Sequence, residues 1–219
     1  CDSHTHIVYV GNREDEFVDR IKGLSYEQIA QKGGGILNSA KKLQNATEEE
    51  LFAQAAERIK EIMQLGTGAV EIKSGYGLTV DAEIKMLRVI KKISQQFPIT
   101  VIATFLGAHA FPANYKNDPQ AYIDLICSEM LPAIAEEKLA TYIDVFCETG
   151  YFSVDQTDQI LREGKKCGLV PKIHVNQFNS IGGVAAAVKN HALSVDHLEI
   201  MTDEDISALK NTEVMPVAL

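Results

Sequence analysis

A (β/α) barrel one strand short of closure is the fold this sequence predicts, and three observations lead to it. Short β-branched runs alternate with stretches of helical periodicity along most of the chain. Histidines stand at or just after the ends of several different runs. Seven runs of strand character can be placed, where a closed barrel needs about eight. Regular alternation favours a parallel sheet with crossover helices, and an open doubly wound sheet is the competing arrangement. An open sheet concentrates its site at one switch point, whereas a barrel gathers side chains from the C-terminal ends of many strands. The spread of histidines over several strand ends therefore favours the barrel.

The first run, Cys1 to His6, leads into Ile7, Val8, Tyr9 and Val10. Side chains two apart on extended backbone share a face, so His4 and His6 point the same way. Two neutral imidazoles so placed suit half of a site for zinc or a related divalent metal; a polar strand end is the plain alternative. Gly11 to Ala46 is long for a connection and carries Arg13, Glu14, Asp15, Glu16 and Gly33-Gly34-Gly35. A structured binding loop or lid and a flexible linker compete for it. From Thr47, a cap followed by Glu48, Glu49 and Glu50 opens a helix whose apolar positions Leu51, Ala55, Ile59, Ile62 and Met63 keep helical spacing, ending near Gly66.

A strand over Ala69 to Ser74, the turn Gly75-Tyr76-Gly77 and a helix from Val80 to Gln96 follow. The alternation continues with a strand from Ile99 to Leu106 that leads to His109, a helix from Pro119 to Glu137, a strand from Tyr142 to Cys147 and a helix from Val154 to Cys167. Between the first two of these, Ala108 to Asp118, with Pro112 inside it, exceeds a minimal barrel unit. Three more strands are expected: Lys172 to Val175, which holds His174; Leu193 to Asp196, closed by His197; and Glu213 to Leu219. Helices over Ile181 to Lys189 and Asp203 to Leu209 separate them.

An apolar fraction of 46% with 23% charged residues is that of an ordinary globular domain, and one domain is the default at this length. The formal charge of -9 argues against a nucleic-acid footprint, and Lys41-Lys42, Lys91-Lys92 and Lys165-Lys166 are isolated surface pairs. No run approaches the roughly 18 apolar residues of a membrane helix, and no secretory leader pattern stands at the start, so a cytoplasmic protein is expected. Cys1, Cys127, Cys147 and Cys167 form no Cys-x-x-Cys pair, and Cys127 and Cys147 are expected to be buried as reduced thiols. No dinucleotide or Walker-type loop is present; Gly33 to Gly35 lacks the Lys-Ser/Thr continuation.

His4 and His6 on the first strand, His174 on the fifth and His197 on the sixth resemble the pattern of the amidohydrolase superfamily of metal-dependent barrels. The likeness narrows with Asp-Ser-His-Thr-His (2 to 6), Gly-Asn-Arg-Glu-Asp-Glu-Phe (11 to 17), Gly-Gly-Gly-Ile (33 to 36), Glu-Ile-Lys-Ser-Gly-Tyr-Gly-Leu (71 to 78), Thr-Phe-Leu-Gly-Ala-His-Ala (104 to 110), Lys-Ile-His (172 to 174) and Asp-His-Leu-Glu (196 to 199). In that order these are similar to the motifs of the imidazolonepropionase family and cover nearly the whole chain.

The resemblance implies a TIM-type barrel of the amidohydrolase kind, incomplete here. It implies a truncated catalytic domain over 1–219, lacking the small β domain formed by the chain ends. It further implies hydrolysis of 4-imidazolone-5-propanoate to N-formimidoyl-L-glutamate in histidine breakdown, with one zinc or iron ion, a small-molecule substrate, no nucleic-acid or membrane partner, and a homodimer as one oligomeric form. His4, His6 and His174 would be metal ligands, joined by a strand-eight aspartate beyond Leu219. Arg13, Tyr76, His109 and Gln177 match substrate-contacting positions, and His197 matches the catalytic histidine near the attacking water.

Gln177 stands where several relatives in the superfamily carry a proton-shuttling Glu. An amide cannot act as a base near neutral pH, so proton transfer would fall more heavily on His197. Asp196 is read as structural and His191 as a surface residue. Two other functions compete: another cyclic amidohydrolase or aminohydrolase, and a truncated barrel without catalytic activity.

Overall fold

Backbone hydrogen bonding joins seven strands into one parallel sheet in strict chain order. In the computed structural model, which describes residues 1–12, 14–24, 28 and 35–219, they are β1 (Asp2–Thr5), β2 (Ala69–Lys73), β3 (Thr100–Ala108), β4 (Tyr142–Cys147), β5 (Val170–Val175), β6 (Ser194–His197) and β7 (Met215–Ala218). Every adjacent pair is parallel. A doubly wound sheet reverses its strand order at a switch point; this one never does. Among the described residues β1 and β7 do not pair with each other, so the barrel is incomplete and these two strands are its edges.

Among the described residues the α-helices are α1 (Glu14–Ile21), α2 (Ile36–Asn45), α3 (Glu48–Gln64), α4 (Val80–Gln96), α5 (Pro119–Leu125), α6 (Leu131–Glu137), α7 (Val154–Lys166), α8 (Gly183–Lys189) and α9 (Asp203–Leu209). The expected cap of α3 is a full capping box, Thr47 and Glu50 each satisfying the other's backbone N–H. Ser153 with Gln156 opens α7 in the same way, and Thr202 with Asp205 opens α9.

Strand residues divide by parity, as the pleat requires. Ile143 packs outward against Gly164 of α7, and Val175 and Cys147 against Gly183 of α8. Asp144 and Phe146 turn to the interior, where they meet His174. The outward residues join the helices in one large buried cluster that includes Ile59, Ile72, Leu87, Ile90, Ile143, Ile160 and Val195.

Of the two readings of Gly11 to Ala46, the described residues favour the structured one, since they form α1 and α2. The apolar side of α2 buries Ala40 and Leu43, and Lys85 of α4 reaches the carbonyl oxygens of Leu43, at 2.9 Å, and Ala46, at 2.6 Å. The helix expected over Pro119 to Glu137 is interrupted by a π-helical turn, Ile126–Met130, with Leu131 N–H bonding back to Ile126 O. Pro132 explains it: its ring crowds the carbonyl four residues back and it offers no N–H, so the preceding turn widens. Cys127, expected to be buried, is half-buried, while Cys147 is fully buried. Element ends otherwise differ by up to two residues: β3 runs on to Ala108, β5 starts at Val170, β7 covers only Met215–Ala218 and α8 begins at Gly183.

Candidate metal centre

The C-terminal ends of the strands converge on a cluster of imidazoles. His4 lies within β1 and His6 one residue past its end, His174 within β5, His197 closing β6 and His109 just past β3. Ring centroids are 4.5 Å apart for His4 and His174, 5.2 Å for His4 and His6, and 5.7 Å for His6 and His174. One ligand nitrogen from each of these three lies within 4.8 Å of the others. His191, by contrast, is exposed, in keeping with its reading as a surface residue.

A divalent ion fits this donor set. His4 Nδ1 is 2.7 Å from Asp196 Oδ2, so it carries the proton and leaves Nε2 with a lone pair. His4 Nε2 is 3.3 Å from His6 Nε2; two nitrogens bound tetrahedrally at 2.0–2.1 Å would stand roughly 3.3 Å apart. His174 Nε2 is buried with no partner among the described residues. His174 Nδ1 lies 2.9 Å from Asp144 Oδ2, at ion-pair distance but poorly aligned for a hydrogen bond. A carboxylate behind the far nitrogen of a ligating imidazole is the usual support for such a ligand. Burial holds His174 down to about 3 despite Asp144, and burial with the neighbouring imidazoles holds His6 well below the ordinary value. Both rings are neutral at pH 7, the form that binds metal.

Beside the histidines lies a cavity of about 350 Å³ lined by Tyr76, His109, Phe146 and Gln177, with Glu16 and Arg20 of α1 at its border. His109 stacks on His6 at 5.3 Å, and its Nδ1 lies 3.2 Å from the carbonyl oxygen of Gly75. That oxygen can only accept, so His109 presents an unprotonated Nε2; burial lowers its pKa to about 4. Tyr76 is 5.5 Å from His109, ring to ring.

The turn that bears Tyr76 is organised by Glu83, which is fully buried. Its Oε1 accepts from the N–H groups of Gly77 at 2.7 Å and Leu78 at 2.9 Å, and its Oε2 from Gly75 N–H at 3.0 Å. Gly75 needs its glycine twice over: φ is +105°, and a Cβ would come within 2.7 Å of Leu106 O.

His197 stands on the same side as the ligand set, 5.1 Å from His174 and 5.2 Å from His4 between ring centroids, with Nδ1 3.1 Å from Glu199 Oε1. Its φ of 91° is in the left-handed region, as is that of Leu198 at 65°, an unfavourable backbone held where a side chain must be aimed. The structure thus gathers His4, His6, Tyr76, His109, His174, Gln177 and His197 at one rim. Arg13 lies outside the described residues, as do Gly33 and Gly34. The segment before it is pinned, since Arg58 of α3 donates to the carbonyl oxygens of Ile7, Tyr9 and Gly11 at 2.8 to 3.1 Å.

Sequence reasoning singled out Asp196 but missed the rest of the layer under the histidines. Glu71, Lys73, Asp144, Lys172 and Asp196 are all buried inside the barrel. The signal was available, since each is a charged residue in a run of strand character whose other members are largely apolar. Burial opposes the charge on Lys73, but Asp144, Glu71 and Asp196 outweigh it and raise its pKa.

No family model matches the chain. It is 67% identical over 219 residues to an imidazolonepropionase of Flavobacterium johnsoniae and 68% to that of Flavobacterium psychrophilum; each alignment takes in all of this chain and 53% of the relative. An imidazolonepropionase of Burkholderia lata is 46% identical over 218 residues. The chain thus spans about half the length of the curated relatives it matches. Among solved structures, adenine deaminase from Arthrobacter aurescens aligns with 99% of this chain and 70% of its own at a TM-score of 0.64 and 15% identity. The 5-methylcytosine deaminase of Klebsiella pneumoniae aligns with 83% of this chain and 46% of its own at 0.62 and 12%. These likenesses agree on the fold, a parallel α/β barrel.

Proposed function

On the premise that the chain belongs to the imidazolonepropionase family, to which it is similar from its first residue to its last, we propose that it carries the metal-binding part of a hydrolase. The reaction is the opening of the ring amide of 4-imidazolone-5-propanoate to give N-formimidoyl-L-glutamate. One observation carries this reading: a cavity lined by Tyr76, His109 and Gln177, the residues matched to substrate contacts, adjoins the three converging imidazoles through His109, which stacks on His6.

His4, His6 and His174 would hold the ion, zinc or iron, both of which suit imidazole donors. Such an ion polarises a carbonyl and makes water acidic enough to attack at neutral pH. The protein's own groups do the rest. Arg13 would pair with the propionate through two parallel bonds. His109, neutral with a free Nε2, accepts a hydrogen bond from a ring N–H, and Tyr76 packs beside it. Gln177 orients substrate or water without taking a proton. His197 receives a proton from the attacking water and returns it to the nitrogen as the C–N bond breaks.

Following substrate absorbance with the whole, metal-loaded protein tests the reading, beside a panel of cyclic amides and aminopurines. Turnover of the imidazolone above all others is expected; good turnover of another compound with none of this one would reject it. Metal analysis of the purified protein decides between zinc and iron.

A further inference from the structure

Directly beneath the histidines, two carboxylate oxygens each face both a histidine and the same ammonium group. Asp196 Oδ2 lies 2.7 Å from His4 Nδ1 and 3.3 Å from Lys73 Nζ. Asp144 Oδ2 lies 2.9 Å from His174 Nδ1 and 2.8 Å from Lys73 Nζ. Lys73 is wholly buried, so nothing outside this layer competes for its three N–H donors. Its remaining contact is Glu71 Oε1 at 2.6 Å, and Thr104 Oγ1 bonds that same oxygen at 2.7 Å.

Lys172 does not duplicate the arrangement. It is held by the other oxygen of Glu71, lies 3.4 Å from Asp196 Oδ2, and donates to Ser3 O.

We propose that Lys73 is a positioning residue for the metal centre: by bridging Asp144 and Asp196 it sets, from one atom, the orientation of two ligand imidazoles on separate strands. The inference rests on the reading of His4, His6 and His174 as ligands. β1, β4, β5 and β6 each approach the centre independently, and a rotation of either imidazole would carry its Nε2 away from the common point. A layer of Val and Ile would fill the same space with comparable or greater stability, because buried ion pairs seldom repay their desolvation. Orientation is what the charged layer adds.

Charge and position can be separated. The layer holds three carboxylates and two lysines, a formal charge of −1. Lys73→Met makes it −2, while Lys73→Met with Glu71→Gln returns it to −1 but leaves Asp144 and Asp196 unbridged. The experiment takes the whole protein, strips it of metal, titrates it with Co²⁺ while recording visible absorption, and measures Zn²⁺ affinity against a chromophoric chelator.

Both variants should bind Zn²⁺ roughly 10–100-fold more weakly, the usual loss when support behind a ligand is removed, and both should change the Co²⁺ spectrum. Wild-type affinity and spectrum in the double variant would overturn the inference in favour of cluster charge, whatever the single variant does. Loss of fold in both would overturn it in favour of a purely structural layer. If only the single variant fails to fold, the double variant decides. A wild-type protein that takes up no metal would overturn the ligand reading as well; metal binding in wild type with unaffected variants overturns this inference alone.

Discussion

Replacing Glu83 by Gln should loosen the substrate side of the site while leaving the metal side intact. The amide can keep one oxygen for Gly77 N–H and Leu78 N–H, but an NH₂ then faces Gly75 N–H, which the carboxyl's second oxygen now accepts at 3.0 Å. A buried donor left without an acceptor costs about 1–3 kcal/mol, which for a domain of this size lowers Tm by roughly 2–12 °C. The functional loss should be larger than that suggests. Gly75 O fixes the His109 tautomer and Tyr76 follows in the same turn, so a shift of the turn by an ångström moves two cavity walls together. Misplacement on that scale costs up to about 100-fold in rate. The assay pairs differential scanning calorimetry with kcat/KM on the imidazolone and a zinc titration. Unchanged Tm and unchanged kcat/KM would refute the reasoning; weakened zinc binding would show that the turn and the metal centre are not separable.

Other outcomes are expected. His174→Ala should remove most bound metal and all turnover together, since it deletes the ligand nitrogen that has no other partner; metal analysis beside activity checks it. Arg13→Lys should raise KM on the propionate-bearing substrate with little effect on metal content, because an ammonium cannot form the two-bond fork. Gly164→Ala should destabilise by about 1–3 kcal/mol despite better helix propensity, as its Cβ would lie 2.5 Å from Ile143 Cδ1 and 2.9 Å from Cγ2; thermal unfolding reads this out. Burial pushes the Asp205 carboxyl up, but bonds from Ser180, Thr202 and Asn176 outweigh it, and its pKa is lowered in the folded state. Its stabilisation is therefore present above the ordinary carboxylate value and lost as pH falls through the folded one. Urea midpoints between pH 5 and 3 should fall less steeply in Asp205→Asn.

The alternation of strands and helices was legible because its period changes cleanly between two and 3.6, and the open barrel followed from counting strands. His4 and His6 could be paired because alternate residues of a strand share a face, and His174 joined them through the family resemblance. The helices α1 and α2 were not legible. In α1, Phe17 is 65% and Ile21 71% exposed, so it lacks the buried stripe by which a surface helix is recognised, and α2 buries only Ala40 and Leu43, too few positions to set a helical period. The π turn at Ile126 was hidden for the opposite reason, since Pro132 leaves the apolar spacing intact and changes only the hydrogen-bond pattern. Glu83 was invisible because an acid in a helix's first turn reads as dipole complement, whereas here it turns inward to hold a loop.

What the sequence pattern at His4 and His6 cannot supply is direction within the ring. Same-face placement brings two imidazoles together, but each can offer Nδ1 or Nε2, and a site whose members choose differently does not close around one ion. The choice is made by what faces the opposite nitrogen: Asp196 of β6 accepts from His4 Nδ1, and Asp144 of β4 stands 2.9 Å from His174 Nδ1, about 190 and 140 residues along the chain from His4. A carboxylate can make that choice only if it is held still, and a buried carboxylate is held still only by a cation or several donors. The order of dependence therefore runs upward through the barrel, from Lys73 to Asp144 and Asp196, to the tautomers of His174 and His4, and to the point where their Nε2 atoms meet. A buried charge at the end of a parallel strand, turned into the barrel, is where such a chain of support begins.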